Sequence, residues 1–493
     1  MSLRSAAARL SLFSLLLIVP LTISAQQPVG GGAPPSKPDE HLRVLKVHLA
    51  AFNAGDAAAL KKFAAEHLSE GERRGQPPER VVEFELGFRR MIGGGFELYE
   101  VEKNTDAELI ATLRVAGDFP LYARMVWAFD PNNPAMITSR RVMPTATPKS
   151  ALPAKMTAQR LAEDVDARLT KMAAADKFSG VVLIAKDGKP VFQKAYGYAD
   201  RETKTSNNLD TRFRLGSMNK MFTSVAIAQL VEAGKLKYTD KLAQVLPDYP
   251  NKEVAQKITV HHLLTHTSGL GDIFGPEFDK RKDELREIKD YVSLFANQPL
   301  RFEPGAGWSY SNGGFIVLGL IIEKLSGQSY YDYVQKYIYD AAGMKLSGSV
   351  PKTEKVTNLA VGYMKRPPAG QLAPNWETLP WRGMSAGGGD STAGDLLRFA
   401  EALRNHKLLG AQLTETIVTG KTQPGSGADS KYAYGFEDDL VAGHRVVGHG
   451  GGAPGMNGQL DIYLDNGYTV VVLANLDPPV AQNVTGYIRE RLQ

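Results

Sequence analysis

The sequence predicts an α+β protein built from two domains. Residues 39–143 begin with three segments of helical apolar spacing and continue with four short extended runs, as expected for helices beside an antiparallel meander. In residues 158–493, strand-like runs lie near both ends and helical segments lie between them, so the C-terminal strands are expected to complete one sheet. Residues 144–157, rich in Pro, Thr and Ala, are interpreted as the linker.

The first 25 residues are predicted to be a cleaved signal peptide. Arg4 and Arg9 precede an apolar run from Leu10 to Ile23, which is short for a bilayer span and therefore favours cleavage over an uncleaved anchor. Residues 26–38, rich in Gly, Pro and Gln, are interpreted as a flexible tether. No later stretch is apolar for long enough to span a membrane, so we expect a periplasmic or secreted bacterial protein.

The charge of the chain is nearly balanced. Its 58 Lys and Arg residues against 53 Asp and Glu residues give a formal net charge of +5, which is too small and too evenly spread for a nucleic-acid-binding protein. The chain has no cysteine, which excludes disulfides and zinc–cysteine sites. Its stability must therefore come from packed cores.

The helices of the first domain are predicted from apolar spacing and from capping residues. Leucines three and four residues apart share one face of a helix over 40–53, and Gly55 followed by Asp56 marks the end of that helix and the cap of the next. A further helix is predicted over 78–91. The strands of the meander are predicted at 96–102, 108–115, 119–129 and 135–143.

The second domain is predicted to begin with a helix over 158–171 and a hairpin. Its strands, 180–185 and 190–198, are joined by Lys186-Asp-Gly-Lys189, and Asp-Gly is typical of a two-residue hairpin turn. Mostly helices and loops are then expected as far as about Asn405. The last strands are predicted at 432–437, 444–449, 457–464 and 468–475, with a final helix from Val480.

A candidate nucleophile stands in Ser217-Met-Asn-Lys220. The apolar residues after Ser217 follow helical spacing, which places Ser217 at or near a helix start and Lys220 three residues on, on the same face. A lysine whose pKa is lowered can take the proton of a serine hydroxyl. The competing interpretation is an N-cap serine beside a surface lysine. A second Ser-x-x-Lys, Ser349-Val-Pro-Lys352, lacks a following helix pattern and contains a proline, so we discard it.

A second candidate segment is Tyr310-Ser-Asn312, which follows a glycine-rich turn and precedes an apolar helix from Phe315 to Leu325. A tyrosine beside an ammonium group becomes more acidic and can act as a general base, and the asparagine can hydrogen-bond a substrate amide or the lysine. The alternative is a buried tyrosine with a satisfied hydroxyl. The similar Tyr249-Pro-Asn251 is interpreted as a loop that ends a helix, so we favour Tyr310.

The third candidate segment is His449-Gly-Gly451, followed by Gly452 and lying just ahead of a predicted strand at Gln459. Glycines are unfavourable inside strands and occur where another backbone or a ligand must come close. The alternative is a glycine loop with a structural histidine. The segment therefore points to a site only in combination with the other two.

Two further segments are interpreted as structural. His262 and His266 are four residues apart, but no glutamate follows His262 as it would in a His-Glu-x-x-His zinc site. We expect packing and loop hydrogen bonds from these histidines, and no metal site. Residues 386–395 are expected to form a loop with a helix cap that lines the cleft.

With these three motifs in this order, residues 158–493 resemble the serine β-lactamases and penicillin-binding proteins, and most of all their class C branch, which also contains D-aminopeptidases, D,D-peptidases and esterases. The resemblance implies a β-lactamase/transpeptidase-like sheet with helices on both faces and an all-helical lobe. The catalytic residues that it implies are Ser217, Lys220 and Tyr310, and the substrate-binding residues are Asn312, His449 and Gly451. The backbone N–H groups of Ser217 and Gly452 would form the oxyanion hole.

Residues 39–143 resemble the NTF2-like (SnoaL-like) cone folds in their element order and in the phrase Ala51-Phe-Asn-Ala-Gly-Asp56. No catalytic constellation accompanies this resemblance. We therefore expect an accessory role for the first domain rather than a second active site.

The function that the resemblance implies is that of an exported serine hydrolase acting through a covalent acyl-enzyme. The family usually has a lysine where this chain has His449, and a histidine is mostly neutral near pH 7. We therefore expect hydrolysis of small-molecule esters or of D-amino-acid amides and peptides, weak β-lactam hydrolysis at most, and no metal or organic cofactor. The alternatives are a penicillin-binding sensor that does not turn over and a catalytically idle binding module.

Overall fold

The computed structural model of the protein describes residues 38–92, 94–366, 370–424 and 429–493. The predicted signal peptide, and the predicted tether up to residue 37, lie outside the described residues. The chain divides into two units, Met1–Thr147 and Pro148–Gln493. Within the described ranges, no helix combines the length and the apolar character that a membrane span requires.

From Pro38 onward, the described part of the first unit contains three helices followed by a four-stranded antiparallel sheet whose strands lie in chain order. The elements are α1 (Pro38–Ala54), α2 (Ala57–His67), α3 (Pro78–Ile92), β1 (Phe96–Asn104), β2 (Glu108–Val115), β3 (Leu121–Asp130) and β4 (Asn133–Thr145). The predicted order is confirmed, and the strand ends differ from the predicted ones by a few residues. Asp56 caps α2 as predicted, because its carboxylate accepts hydrogen bonds from the N–H groups of Ala58 and Ala59 at 2.9 and 3.0 Å.

A buried ionic group holds α1, α3 and β4 together. The Glu85 carboxylate lies 2.7 Å from His48 Nε2, and Arg140 donates to its other oxygen at 2.5 Å. Burial by itself would raise the pKa of Glu85, but the charges and hydrogen bonds of His48 and Arg140 outweigh it and lower the pKa to about 2. The Glu85 side chain is only 7% exposed, so solvent screens this group little.

We expect Glu85→Gln to destabilise the first unit at neutral pH and to have less effect in acid. A carboxylate whose pKa falls from 4.5 to about 2 on folding contributes about 3 kcal/mol. Because the pKa is lowered, this contribution is present above the unfolded-state value and is lost as the pH falls toward 2. Hydrogen exchange of peptides from α1 and α3, compared between variant and wild type at pH 7 and at pH 3, measures the difference.

The matched control is Glu83→Gln on the same helix, because Glu83 pairs with Arg80 at 2.7 Å while its side chain is 66% exposed. Exposed pairs contribute at most about 1 kcal/mol. Equal effects of the two substitutions, or an effect of Glu85→Gln that does not shrink at pH 3, would contradict the assignment.

The second unit is organised around a seven-stranded sheet. Its strands are β5 (Gly180–Lys186), β6 (Lys189–Tyr196), β7 (Tyr198–Asp200), β8 (Thr205–Ser206), β9 (Phe213–Arg214), β10 (Tyr363–Arg366), β11 (Gln371–Pro374), β12 (Asp390–Ser391), β13 (Ser430–Tyr432), β14 (Glu437–Val441), β15 (His444–Ala453), β16 (Met456–Tyr463) and β17 (Tyr468–Ala474). The large sheet has the order β13-β14-β15-β16-β17-β5-β6, so its C-terminal strands complete the sheet that β5 and β6 begin. This arrangement confirms the predicted α+β class.

The helices of the second unit cover both faces of this sheet and also form a separate lobe. They are α4 (Ala158–Ala174), α5 (Asn219–Glu232), α6 (Leu242–Val245), α7 (Lys252–Lys257), α8 (Val260–Leu264), α9 (Pro276–Arg281), α10 (Asn312–Ser326), α11 (Tyr330–Val334), α12 (Ala393–Arg404), α13 (Ala411–Val418) and α14 (Val480–Arg491). Val181 and Leu183 of β5 pack in the hydrophobic core that contains α5, α10 and α12. Val182 and Ile184 of the same strand are also buried but do not belong to this core. Successive side chains of a strand face opposite sides, so both faces are covered.

One predicted strand near the site needs correction, and another is longer than predicted. Residues 432–437 were expected to form one strand, but Gly435, at φ +68°, lies in a turn between β13 and β14. A Cβ at Gly435 would lie 2.9 Å from the Lys220 carbonyl oxygen, so this turn packs closely on α5. The strand predicted at 444–449 continues as β15 to Ala453, so all of His449-Gly-Gly451 lies inside it, just ahead of β16 as predicted.

Candidate active site

Ser217 lies in a short 3-10 turn, Gly216–Met218, that rests on the two inner strands of the sheet. Gly451 of β15 pairs with Gly458 of β16 beneath this turn. A Cβ at Gly451 would lie 1.9 Å from the Leu215 carbonyl oxygen, and one at Gly458 would lie 2.7 Å from the Met218 sulfur. The two glycines therefore make room for the turn, which is the close backbone approach that glycines in a strand indicate.

Helix α5 begins at Asn219, and its N-cap residue is Met218 rather than Ser217. The interpretation of Ser217 as a helix cap is therefore wrong. From Asn219 to Ala228 every residue of α5 is buried, so this helix crosses the interior rather than presenting one apolar face to the core. Ser217 itself is partly exposed, although only Met218 separates it from this buried helix.

Lys220 is completely buried, and its ammonium group points at Ser217. Its Nζ lies 3.2 Å from Ser217 Oγ and 2.8 Å from Asn312 Oδ1, and it also donates to the Ala386 carbonyl oxygen. Burial lowers the pKa of Lys220 to about 7, against the opposing effect of the Asp272 charge. A substantial fraction of Lys220 is therefore neutral near pH 7 and able to accept a proton.

The amide of Asn312 is fully occupied by protein partners. Its Oδ1 accepts from Lys220, and its Nδ2 donates to both carboxylate oxygens of Asp272 at 3.1 and 3.0 Å. Of the two partners considered for Asn312, the substrate amide and the lysine, the structure provides the lysine. Asn312 is only 8% exposed, so its contact with a substrate stays a prediction.

Tyr310 lies on the other side of the Lys220 ammonium group. The distance from Lys220 Nζ to the centre of the Tyr310 ring is 4.7 Å, and the phenol hydrogen-bonds Ser217. Burial raises the pKa of Tyr310 above its ordinary value, and the hydrogen bond with Ser217 offsets only part of that rise. Tyr310 is therefore protonated at neutral pH, whereas burial favours the uncharged form of Lys220.

Gly452 follows the glycine pair and is exposed at the end of β15. A Cβ built on Gly216 would lie 3.0 Å from the backbone nitrogen of Gly452, so this nitrogen lies against the Ser217 turn. The loop at 386–389 lies on the same turn, because Gly388 N–H donates to the Gly216 carbonyl at 2.9 Å. The prediction that this loop lines the site is confirmed by the contact between Ala386 and Lys220.

His449 belongs to a buried hydrogen-bonded chain that includes Tyr432 and His266. The Ser311 N–H donates to His266 Nδ1 at 3.1 Å, so a neutral His266 carries its proton on Nε2, 3.0 Å from Tyr432 Oη. Tyr432 Oη is also 3.0 Å from His449 Nε2, and His449 Nδ1 faces the Gly450 carbonyl at 2.5 Å. A carbonyl only accepts, so His449 carries its proton on Nδ1 and accepts from Tyr432 on Nε2.

Both histidines of this hydrogen-bonded group, His266 and His449, are neutral. Burial, followed by the nearby charge of Lys220, lowers the pKa of His449 to about 3 and that of His266 well below its ordinary value. His449 is 3% exposed. The expectation that His449 carries little charge near pH 7 therefore agrees with its surroundings.

His261, His262 and the rival Ser-x-x-Lys motif have structural partners. His261 Nδ1 lies 2.8 Å from Tyr434 Oη, and His262 caps the start of α8 through the Thr259 N–H. In the rival motif, Ser349 donates to the Gly383 carbonyl at 3.0 Å and Lys352 pairs with Asp283. Among the residues that the structure describes, no group of three or more His, Asp and Glu side chains is arranged to hold a metal ion.

Comparison with known proteins gives the family of the second unit. The family model described as "Beta-lactamase" matches residues 165–493. The chain belongs to the β-lactamase family. This match leaves the unit before residue 148 outside the family domain.

Within the β-lactamase family, the chain is similar to proteins of several activities. It is 31% identical to "Penicillin-binding protein 4*" of Bacillus subtilis, over 61% of this chain and 68% of the relative. It is 29% identical to "Esterase EstB" of Burkholderia gladioli, over 64% of this chain and 91% of the relative. The crystal structure of a D-stereospecific amidohydrolase from Streptomyces sp. matches with a TM-score of 0.57 and 27% identity, over 65% of this chain and 97% of the other.

Two side chains at this site, Asp272 and Tyr432, were not identified from the sequence. The expected loop hydrogen bonds of His266 are confirmed by its contacts with the Ser311 N–H and Tyr432. Asp272 lies in Gly-Leu-Gly-Asp, just after Thr-Ser-Gly269, where nothing local indicates a contact with residue 312. Tyr432 was assigned to a strand, which gave no indication that its hydroxyl joins two histidines. Pairings between residues so far apart in the chain become visible only once the fold is known.

Proposed function

We propose that this β-lactamase-family hydrolase acts through a covalent acyl-enzyme on small-molecule esters or on D-amino-acid amides and peptides, with weak β-lactam hydrolysis at most. The observation that carries the proposal is the buried Lys220 amine, 3.2 Å from the hydroxyl of the partly exposed Ser217 and with a pKa lowered to about 7. The similarity to an esterase and to a D-stereospecific amidohydrolase supports this range of substrates.

In the proposed reaction, Ser217 Oγ attacks the substrate carbonyl carbon and its proton passes to neutral Lys220. Lys220 is the resting base because burial favours its uncharged form, whereas burial keeps Tyr310 protonated. When the tetrahedral intermediate collapses, the Tyr310 hydroxyl, which hydrogen-bonds Ser217, delivers a proton to the leaving group and is reprotonated from Lys220. Water then hydrolyses the ester formed on Ser217, and the same groups act in the reverse sense.

The oxyanion of the intermediate is proposed to be bound by the backbone N–H groups of Ser217 and Gly452. The packing of Gly452 nitrogen against the Gly216–Met218 turn supports a shared position for the two donors. Each such donor contributes on the order of 3–4 kcal/mol to transition-state stabilisation. Gly451 contributes by its lack of a side chain, which lets the two segments approach.

The neutral state of His449 supports substrates that carry no carboxylate next to the scissile bond. Its Nε2 accepts from Tyr432 and its Nδ1 faces the Gly450 carbonyl, so it offers neither a positive charge nor a free N–H group to an anion. A lysine at this position would offer both. Penicillins carry a carboxylate, so we propose that they react slowly and that uncharged esters react well.

The test is a comparison of a p-nitrophenyl ester, a D-amino-acid p-nitroanilide and a fluorescent penicillin. We expect a burst of p-nitrophenol of up to one equivalent per enzyme followed by steady turnover, because an acyl-enzyme forms before it is hydrolysed. We expect the ester or the anilide to have a higher kcat/KM than the penicillin. Acylation by penicillin without turnover of any substrate would indicate the sensor, and no reaction at all would indicate the idle module.

We also propose that the chain is exported after removal of its leader and that residues 39–143 form an NTF2-like accessory domain. The three helices and four-stranded antiparallel sheet of the first unit support the second assignment. Its buried Glu85 carboxylate is paired with His48 and Arg140, which favours a structural role over a second reaction site. The N-terminal residue of protein recovered from the periplasm or the medium tests export.

A further inference from the structure

The carboxylate of Asp272 lies at the N-terminus of α10, where it contacts Asn312 on the side opposite Lys220 in the hydrogen-bond sequence Asp272–Asn312–Lys220. It accepts from the Asn312 side chain through both oxygens, and its Oδ2 also lies 3.3 Å from the Asn312 backbone N–H. The same loop is fastened to α10 by the Ser311 hydroxyl, which donates to the Gly271 carbonyl at 2.8 Å. A negative charge is favourable at a helix N-terminus, and these hydrogen bonds hold the Asp272 carboxylate there in a defined orientation.

This contact decides which end of the Asn312 amide faces Lys220. The two ends of an asparagine amide have nearly the same shape, and their hydrogen-bond partners select the orientation. An ionised carboxylate only accepts, so the Asn312 N–H groups must face Asp272 and the oxygen must face Lys220. The Lys220–Asn312 distance of 2.8 Å is the result.

We propose that Asp272 is a positioning residue that fixes the Asn312–Lys220 hydrogen bond and sets the pH at which Lys220 becomes available as the base. This inference rests on the proposed function, because it assigns a role to Lys220 in activating Ser217. Asp272 touches neither the nucleophile nor the reacting atoms, and it acts through Asn312 and through its charge.

The two histidines and the tyrosine beside Lys220 do not titrate in the same range. His266, from the loop after α8, and His449, from β15, have pKa values lowered far below neutrality by burial. Tyr310, from the loop before α10, has a pKa raised by burial, and the charges of Asp272 and of Glu437 on β14 raise it further. Burial lowers the pKa of Lys220, whereas the Asp272 charge raises it. Removal of that charge therefore favours the neutral amine at lower pH.

The experiment measures the rate at which a fluorophosphonate labels Ser217 between pH 5 and pH 9. In this reaction the serine oxygen forms a bond to phosphorus, fluoride leaves, and the serine proton passes to Lys220. The reagent reports on the nucleophile without reference to the natural substrate. In the wild type, we expect the rate to rise with a midpoint near the Lys220 pKa of about 7.

In Asp272→Asn, which has nearly the same shape, we expect the midpoint to fall by about one pH unit, the order of shift that a neighbouring charge produces. Asp272→Glu, which keeps the charge, should retain a midpoint near that of the wild type. The matched control is Glu277→Gln, which removes a charge from the adjacent helix α9, where the Glu277 side chain is 58% exposed. Its midpoint should not move.

A purely structural role for Asp272 would slow labelling at every pH and leave the midpoint in place, and that result would overturn the inference. An equal shift in Glu277→Gln would overturn it as well, since any nearby charge would then suffice. Absence of Ser217 labelling in the wild type is a different result, because it contradicts the proposed function itself.

Discussion

Replacing Ser217 by alanine is expected to lower kcat/KM for a p-nitrophenyl ester by a factor on the order of 10⁴ or more. The reason is that no other hydrogen-bond partner of the Lys220 amine can replace Ser217 as the nucleophile. The Lys220 ammonium group donates hydrogen bonds to Ser217 Oγ, Asn312 Oδ1 and the Ala386 carbonyl oxygen. Among these three partners, only the serine can form an acyl-enzyme. Residual hydrolysis would come from the binding site and the oxyanion donors acting on water.

The chain offers a matched control in its second Ser-x-x-Lys sequence. Ser349→Ala removes a hydroxyl that donates to the Gly383 carbonyl, in a motif whose lysine is paired with Asp283 rather than with the serine. We expect this variant to keep the wild-type kcat/KM. Intact-mass measurement after treatment with a fluorophosphonate should show one adduct on the wild type and on Ser349→Ala, and none on Ser217→Ala. Turnover that survives in Ser217→Ala would refute the acyl-enzyme mechanism.

Replacing Gly451 by alanine is the second change with a large expected effect. The new Cβ would lie 1.9 Å from the Leu215 carbonyl oxygen and 3.0 Å from Met218 Cγ, so either β15 or the Ser217 turn must move. Overpacking of this kind costs about 1–3 kcal/mol of stability. It also separates Ser217 from Gly452, and a displacement of about 1 Å at a reacting group can cost on the order of 10²-fold in rate.

We therefore expect Gly451→Ala to lower both the melting temperature and the kcat/KM for the ester. The control is Gly486→Ala, in α14, where a Cβ meets nothing within 4 Å. Because alanine is favoured over glycine in a helix by about 1 kcal/mol, this variant should be slightly more stable and fully active. Wild-type activity in Gly451→Ala would show that the turn and β15 are not held in contact as described.

Local sequence was sufficient for the parts of the molecule that neighbouring residues determine. Asp56 at the start of α2 and the Asp-Gly turn between β5 and β6 both rely on partners within a few residues, and both were predicted. The same is true of Ser217 and Lys220, because three residues separate them and one turn of backbone brings them together. The strand at 432–437 was wrong for the opposite reason: its alternating aromatic residues are typical of a strand, but contact with α5 bends the chain at Gly435.

Charge states and hydrogen-bond partners at the site depended on residues far apart in the chain. Asn312 was predicted to face either a substrate or the lysine, and only the approach of Asp272, forty residues earlier, turns its oxygen to Lys220. His449 was expected to be mostly neutral near pH 7. Burial beside Lys220, and the contacts with Tyr432 and Gly450, fix that state and the position of its proton.

The sequence by itself therefore determined the reaction chemistry that we propose, since a serine and a lysine on one helical turn, with a tyrosine motif and a glycine pair in order, indicate a serine hydrolase. The tertiary structure decided the lowered pKa of the buried Lys220 amine, the partners that hold Asn312, and the neutral state of His449. Those properties depend on burial and on contacts across the fold, and neither is encoded in any short stretch of the chain.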